Sequence, residues 1–109
     1  MRYLANAFSL SMISPPAVIR VERVGKEEFC KEAEGAVSAI GHAGTAEVLS
    51  TICGFKIPVQ RIMISLAHGD EVLVFQLLER LPEGKVLSRE EVEKLLAEGK
   101  ATFYRVMVE

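Results

Sequence analysis

The sequence predicts an α/β fold, a single domain in which a mixed β-sheet is flanked by helices in the order β-β-α-β-α-β-β-α-β. Three observations predict it. Stretches of strand length alternate with stretches of helical spacing. The last helical stretch carries explicit start and stop signals. A chain of 109 residues is long enough for one hydrophobic core and too short for two independent ones.

Tyr3 to Phe8 reads as a short apolar strand that ends in the polar run Ser9 to Ser14, and Pro15-Pro16 then blocks any continuation. Ala17 to Val24 alternates as a partly exposed edge strand would, although Val18 shares its side with Arg20 and Glu22. Gly25 leads into a charged helix, Lys26 to Glu34, in which Phe29, Cys30 and Ala33 can face inward. Ala36 to Ile40 has strand length. The turn Gly41-His42-Ala43-Gly44-Thr45 follows, then Val48, Leu49, Ile52 and Cys53 at helix-face spacing, closed by Gly54. Arg61 to Leu66 and Val72 to Leu78 flank the turn residues Ala67-His68-Gly69-Asp70 and so predict an antiparallel hairpin. Ser88 with Glu91 is a capping box, Val92, Leu95 and Leu96 make the apolar face behind it, and Gly99 is placed to end the helix. Thr102 to Val108, rich in β-branched and aromatic residues, closes the sheet. No internal repeat is present.

Composition narrows the function. Half of the residues are apolar and 26% are charged, the balance of a globular protein and not of a disordered one. No apolar stretch approaches the roughly 20 residues of a membrane-spanning helix, and the N-terminus lacks a basic-then-apolar signal, so a cytoplasmic location and no membrane partner are expected. A formal net charge of −2 argues against a protein that coats long nucleic acid, while leaving room for a small anion in one pocket. Cys30 and Cys53 have no Cys or His neighbour at metal-ligand spacing, so they read as small apolar core residues in a reducing compartment and no metal is expected. Walker loop, zinc signature, serine-hydrolase elbow and dinucleotide fingerprint are all missing, which leaves no cofactor to predict.

The chemistry-bearing residues fall in three places. In Ala39-Ile40-Gly41-His42-Ala43-Gly44-Thr45, a strand hands over to a helix N-terminus, where free N–H groups and the helix dipole favour an anion. Gly41 and Gly44 keep that approach open, and His42 stands beside it with a side chain able to donate a proton near neutral pH. The competing reading is a structural histidine in a turn. Arg80-Leu81-Pro82-Glu83-Gly84-Lys85 follows the strand ending near Leu78; Arg80 can fork onto a phosphate and Glu83 can orient an imidazole or a sugar hydroxyl, or the stretch is a surface turn with solvated charges. Asn6, Ser9 and Ser11 offer amide and hydroxyl groups after the first strand, and such residues also serve simply as turn formers. His68 is explained by its turn, and Arg61 is either an exposed strand charge or a ligand contact.

Taken together, Tyr3-Leu4-Ala5-Asn6-Ala7-Phe8-Ser9, Ala39-Ile40-Gly41-His42, Leu49-Ser50-Thr51-Ile52-Cys53-Gly54, Arg80-Leu81-Pro82-Glu83-Gly84-Lys85 and Gly99-Lys100-Ala101-Thr102-Phe103-Tyr104 resemble, in order and spacing, the viral anti-CRISPR ring nucleases of archaeal viruses and phages with their cellular counterparts. The resemblance runs nearly end to end. It implies a small α/β homodimer that binds cyclic tetra-adenylate, the second messenger of type III CRISPR immunity, and cuts it without a metal to linear di-adenylate ending in a 2′,3′-cyclic phosphate. By the same resemblance His42 matches the catalytic histidine, and Arg80 and Glu83 match the active-site pair. Asn6, Ser9, Ser11, Gly41, Thr45, Arg61 and Gln76 fall where ligand-lining residues lie. The chain departs from the family pattern at Ser11, where members often carry Asn, and at Ala43-Gly44, where Asp-Ser is common; both changes remove side-chain contacts. An isologous dimer suits a four-nucleotide ring, since both have two-fold symmetry. Two rival readings stand beside this one: a dimer that sequesters the ring without cutting it, and a viral regulatory or interaction protein.

Overall fold

Both periodicities are realised in the chain. The computed structural model, which describes residues 1–78 and 88–109, runs β1 (Arg2–Ala5), a 3₁₀ turn (Leu10–Met12), β2 (Ile19–Arg23), α1 (Lys26–Ala33), β3 (Val37–Ser38), α2 (Ala43–Cys53), β4 (Glu71–Leu77), α3 (Arg89–Ala97) and β5 (Ala101–Val108). The helices start and stop on their local signals. Ser88 and Glu91 exchange both hydrogen bonds of the capping box at the head of α3. Gly54, at φ 78°, closes α2 in the left-handed conformation that a residue without Cβ adopts at no steric cost.

The sheet has the order β2-β5-β4-β1-β3. β1 pairs in parallel with β3 on one side and β4 on the other, while β5 is antiparallel to both β4 and β2. The chain is thus a single-domain α/β protein with a mixed sheet of five strands and three helices among the described residues. β2 lies at an edge, as its alternation with charges predicts.

The predicted hairpin is not there. Residues 61–66 form no strand, because a strand has two ladder edges and β4 gives one to β1 and the other to β5. The segment instead crosses the sheet, buries Ile64 and Leu66, and ties in through the Leu66 N–H donating to the Met12 carbonyl at 2.7 Å. The turn itself forms: Gly69 has φ 87°, and the Asp70 carboxylate accepts from the Ala67 N–H at 2.9 Å. The order therefore loses one strand relative to the expectation, and β1 ends at Ala5 instead of reaching Phe8.

Strand alternation sorts the core into two layers. Leu4, Leu73, Phe75 and Phe103 point to the face that carries all three helices, where they meet Phe29 and Leu49. Phe103 holds ring contacts there with Phe29 at 4.9 Å and Phe75 at 5.4 Å between centroids. Ala5, Val72, Val74, Val106 and Val108 point to the other face, which is covered by Ile64 and Leu66 together with Phe8, Met12 and Ile13 and, among the described residues, by no α-helix. Arg105 ties the helical side together, reaching Glu22 on β2 and Glu28 and Glu32 on α1. Partial burial works against its charge, but the hydrogen bond to Glu32 and the three carboxylates outweigh it, so the guanidinium holds its proton more tightly than usual.

Cys30 and Cys53 correct the expectation of two separate thiols. They form a disulfide, with Cα atoms 5.2 Å apart. The reason is packing: Cys30 lies on the inward side of α1 and Cys53 ends α2, and the two helices share one face of the sheet. The bond encloses β3, Gly41, His42 and α2 in one covalent loop, and it removes the argument for a reducing compartment that rested on free cysteines. Among the described residues, no helix is long and apolar enough to cross a membrane.

Candidate active site

β1, β3 and β4 run the same way, so the chain leaves all three at one edge of the sheet. In such sheets that edge, at the C-terminal ends of the parallel strands, is where ligands bind. The exit from β3 is fixed on both sides. The Ala39 N–H donates to the Leu4 carbonyl at 2.7 Å, Ile40 is fully buried, and the Ile40 carbonyl accepts from the Gln60 N–H at 2.9 Å. Gly41 and His42 then stand at the rim of a rigid base.

His42 is the N-cap of α2. Its Nδ1 accepts from the Thr45 N–H at 3.2 Å, and the Thr45 hydroxyl lies at the same distance from that nitrogen. The backbone hydrogen bond uses the Nδ1 lone pair, so the ring proton sits on Nε2, the nitrogen not engaged by the cap. The imidazole is exposed while Thr45 is buried. Ala43 and Gly44 occupy the first helical positions, whose N–H groups have no intrahelical acceptor. The result is an oriented imidazole beside the positive end of a helix dipole.

Arg61 joins this group across 20 residues of sequence. Its Nε donates to the Gly41 carbonyl at 3.0 Å, and among the described residues its two terminal nitrogens have no partner. Gly41 makes that approach possible, since a Cβ there would meet Arg61 Cγ at 3.0 Å. The glycine thus clears space for an arginine as well as for a ligand. His42, Thr45, Gly41 and Arg61 form one cluster. Thr45 serves it from below, through its bonds to the imidazole.

The remaining expected residues divide. Asn6 is exposed immediately past β1, at the same edge. Ser9 caps the 3₁₀ turn, accepting from the Ser11 N–H, and its hydroxyl is 3.0 Å from that of Ser11, so the two serines serve the turn and each other. Gln76 lies near the end of β4 on the helix-free face, where it lines a cavity of about 290 Å³ together with Phe8, Val21, Val74, Tyr104 and Val106. Phe8 and Tyr104 were not among the expected site residues. Alternation along β5 signals that Tyr104 shares a face with Val106, but only the strand pairing brings it to Gln76. Arg80 and Glu83 lie outside the described residues. Also among the described residues, no three His, Cys, Asp or Glu side chains are grouped as a metal site would require.

Comparison with known proteins gives a consistent grouping. A family model described as STIV B116-like matches residues 2–103. ORF116 of Acidianus filamentous virus 1 is 36% identical over 97% of this chain and 94% of its own length. ORF117 of Acidianus two-tailed virus is 36% identical over 94% of this chain and 89% of its own length. The solved structure of B116 from Sulfolobus turreted icosahedral virus superimposes with a TM-score of 0.90 at 34% identity, covering 97% of each chain.

Proposed function

The chain belongs to the STIV B116-like family of small proteins found in archaeal viruses, and from that premise we propose that it is a metal-independent ring nuclease. Acting as a homodimer in the host cytoplasm, it binds cyclic tetra-adenylate and cuts it to linear di-adenylate ending in a 2′,3′-cyclic phosphate, damping type III CRISPR signalling. One observation carries this reading: an exposed imidazole, held by Thr45 at the head of α2, with Arg61 anchored through its Nε to the Gly41 carbonyl one residue away.

The chemistry needs no outside nucleophile. A ribose 2′-oxygen attacks the adjacent phosphorus in line as its P–O5′ bond breaks, and a ring held in one geometry makes this an intramolecular step. The 2′-hydroxyl proton leaves to a base, and Glu83, which the resemblance matches to the active-site pair, serves either as that base or to orient the attacking hydroxyl. The departing 5′-oxygen takes a proton from Nε2 of the His42 imidazolium, and a well-placed acid of this kind contributes roughly 10² to 10⁴ in rate. Thr45 suits both ring states. The neutral ring accepts the Thr45 N–H at Nδ1; the imidazolium gives up that cap bond, and the Thr45 hydroxyl is then placed to accept from Nδ1–H. Arg61 and Arg80 are the cations assigned to the charge that develops on phosphorus.

A second reading rests on the same hydrogen bond. Capping α2 is sufficient occupation for His42, and a dimer that only sequesters the ring needs nothing more of it. Incubation of the purified protein with cyclic tetra-adenylate and EDTA separates the two. Linear products with the chelator present support the nuclease; a bound but uncut ring supports sequestration; no affinity for the ring removes both.

A further inference from the structure

Among the described residues, the buried polar side chains are Ser38, Thr45 and Thr102. A buried hydroxyl is costly unless it is hydrogen-bonded, so its partner shows what the fold uses it for. Thr102 reaches the Gln76 carbonyl within the sheet, and Thr45 holds the His42 imidazole. Ser38, the last residue of β3, holds the segment that leads to Arg61. Residues 56–60 approach the site without helix or strand, so no backbone ladder sets their position. They are pinned one after another instead. The Ile57 N–H donates to the Ser50 hydroxyl at 2.8 Å while the Ile57 side chain is buried in the core. The Pro58 carbonyl accepts from the Ser38 hydroxyl at 2.6 Å, and the Gln60 N–H donates to the Ile40 carbonyl at 2.9 Å. Arg61 Nε then reaches the Gly41 carbonyl. Each serine also bonds to the base of the site. Ser38 accepts from the Ile40 N–H at 3.4 Å, and Ser50 donates to the Ala46 carbonyl of α2 at 2.7 Å.

We propose that Ser38 and Ser50 are positioning residues: they hold residues 57–60 against the exit of β3 and against α2, so that Arg61 is presented beside His42. The inference rests on the ring-nuclease reading for the task of Arg61 and deepens it by naming what sets the place of that cation. Arg61 is exposed and its side chain is long and rich in rotamers, so where its guanidinium stands depends on where its backbone is held. Serine suits the work because one hydroxyl both donates and accepts. Ser38 thereby joins the segment to the strand exit, and Ser50 joins it to the helix that His42 caps. Alanine at either position removes both bonds of that hydroxyl. Neither serine belongs to the His42 cluster; each acts through Arg61. Ser50 also gives a task to the Leu49-Ser50-Thr51-Ile52-Cys53-Gly54 block, to which the resemblance assigns no ligand contact.

The test reads Arg61 first without substrate. Its Nε–H gives a nitrogen–proton NMR signal, identified by its loss in Arg61→Lys. Ser38→Ala and Ser50→Ala each quicken exchange of that proton with water several-fold, while the Nε–H of Arg105, bonded to Glu32, keeps its rate. Ser50 is half-buried, so Ser50→Ala carries the test if loss of the buried Ser38 hydroxyl unfolds the chain. On cyclic tetra-adenylate, Ser50→Ala lowers kcat about tenfold, within the loss of up to about 10² that an ångström of misplacement causes. Ser50→Thr, which keeps the hydroxyl, restores kcat. In an Arg61→Gln background Ser50→Ala has no further effect, whereas a serine that only supported the fold would lower kcat by the same factor with or without the guanidinium. Unchanged exchange at Arg61 in both serine variants overturns the proposal. So does an equal loss of kcat in the Arg61→Gln background, or faster exchange with kcat unchanged. A ring left uncut by the wild-type protein, with Arg61 loosened in both variants, would remove the nuclease and leave Ser38 and Ser50 as the residues that place Arg61.

Discussion

The two histidines are both exposed, and each spends Nδ1 on a nearby group, yet they present opposite faces to solvent. His42 Nδ1 accepts from a backbone N–H, which leaves Nε2 bearing the proton. His68 Nδ1 donates to an oxygen of Glu109 at 2.8 Å, which leaves Nε2 with its lone pair outward. Their settings differ as sharply. His42 heads α2 where parallel strands end, beside Arg61; His68 sits in the turn that leads into β4, at the start of that strand. Residue type alone does not mark a reactive group. The element it caps and the edge it occupies decide what its second nitrogen can do.

The largest expected effect separates the two directly. His42→Asn keeps a side-chain acceptor for α2 and loses the acid, so ring cleavage falls by at least about 10²-fold while the melting temperature stays near wild type. His42→Ala loses the cap as well and costs about 1 kcal/mol of stability, read as an earlier urea midpoint. His68→Asn leaves turnover unchanged. Equal losses of activity at both positions would erase the distinction.

The next effect concerns how the His42 edge is held. The Cys30–Cys53 bond spans 23 residues that include β3, His42 and most of α2, and closing a loop of that length contributes on the order of 3 kcal/mol by restricting the unfolded chain. The Cys30→Ser, Cys53→Ser double variant should lose about that much in denaturant titration. Hydrogen exchange should quicken more at β3 and α2 than in the turn at His68. Uniform quickening over the whole chain would show that the disulfide does not favour one edge.

The smallest effect belongs to the other end. The Ala67 N–H and then the N-terminal ammonium, at 3.0 Å, hold the Asp70 carboxyl below its ordinary value. A carboxyl lowered in the folded state stabilises at neutral pH, above its unfolded value, and that contribution disappears as pH falls through the folded value. Asp70→Asn should therefore lower stability slightly at pH 7 and not at all in strong acid. A constant difference across that range would assign the effect to something other than charge.

Most of what is local was legible. The Ser88–Glu91 box, the glycine stops at Gly54 and Gly99, and the edge character of β2 all follow from residues within a few positions of one another. So does His42 at a helix start. What failed was pairing over distance. Residues 61–66 have the apolar content of a strand, but nothing nearby in sequence tells them that both edges of β4 are filled. Cys30 and Cys53 meet only because α1 and α2 lie on the same face. Arg61 reaches Gly41 through a contact that sequence spacing does not encode. The family resemblance placed Arg61 and Gln76 near the ligand; it did not show that they stand in different parts of the structure, one beside His42 and the other in the cavity of the helix-free face.

The central claim is that His42 delivers a proton to the departing 5′-oxygen and does not merely cap α2. A ring in which that bridging oxygen is replaced by sulfur tests it most directly, because a thiolate leaves without protonation. His42→Asn should cut the sulfur-bridged ring at close to the wild-type rate while remaining slow on the natural one. Equal impairment on both substrates would contradict the claim and leave His42 as a helix cap.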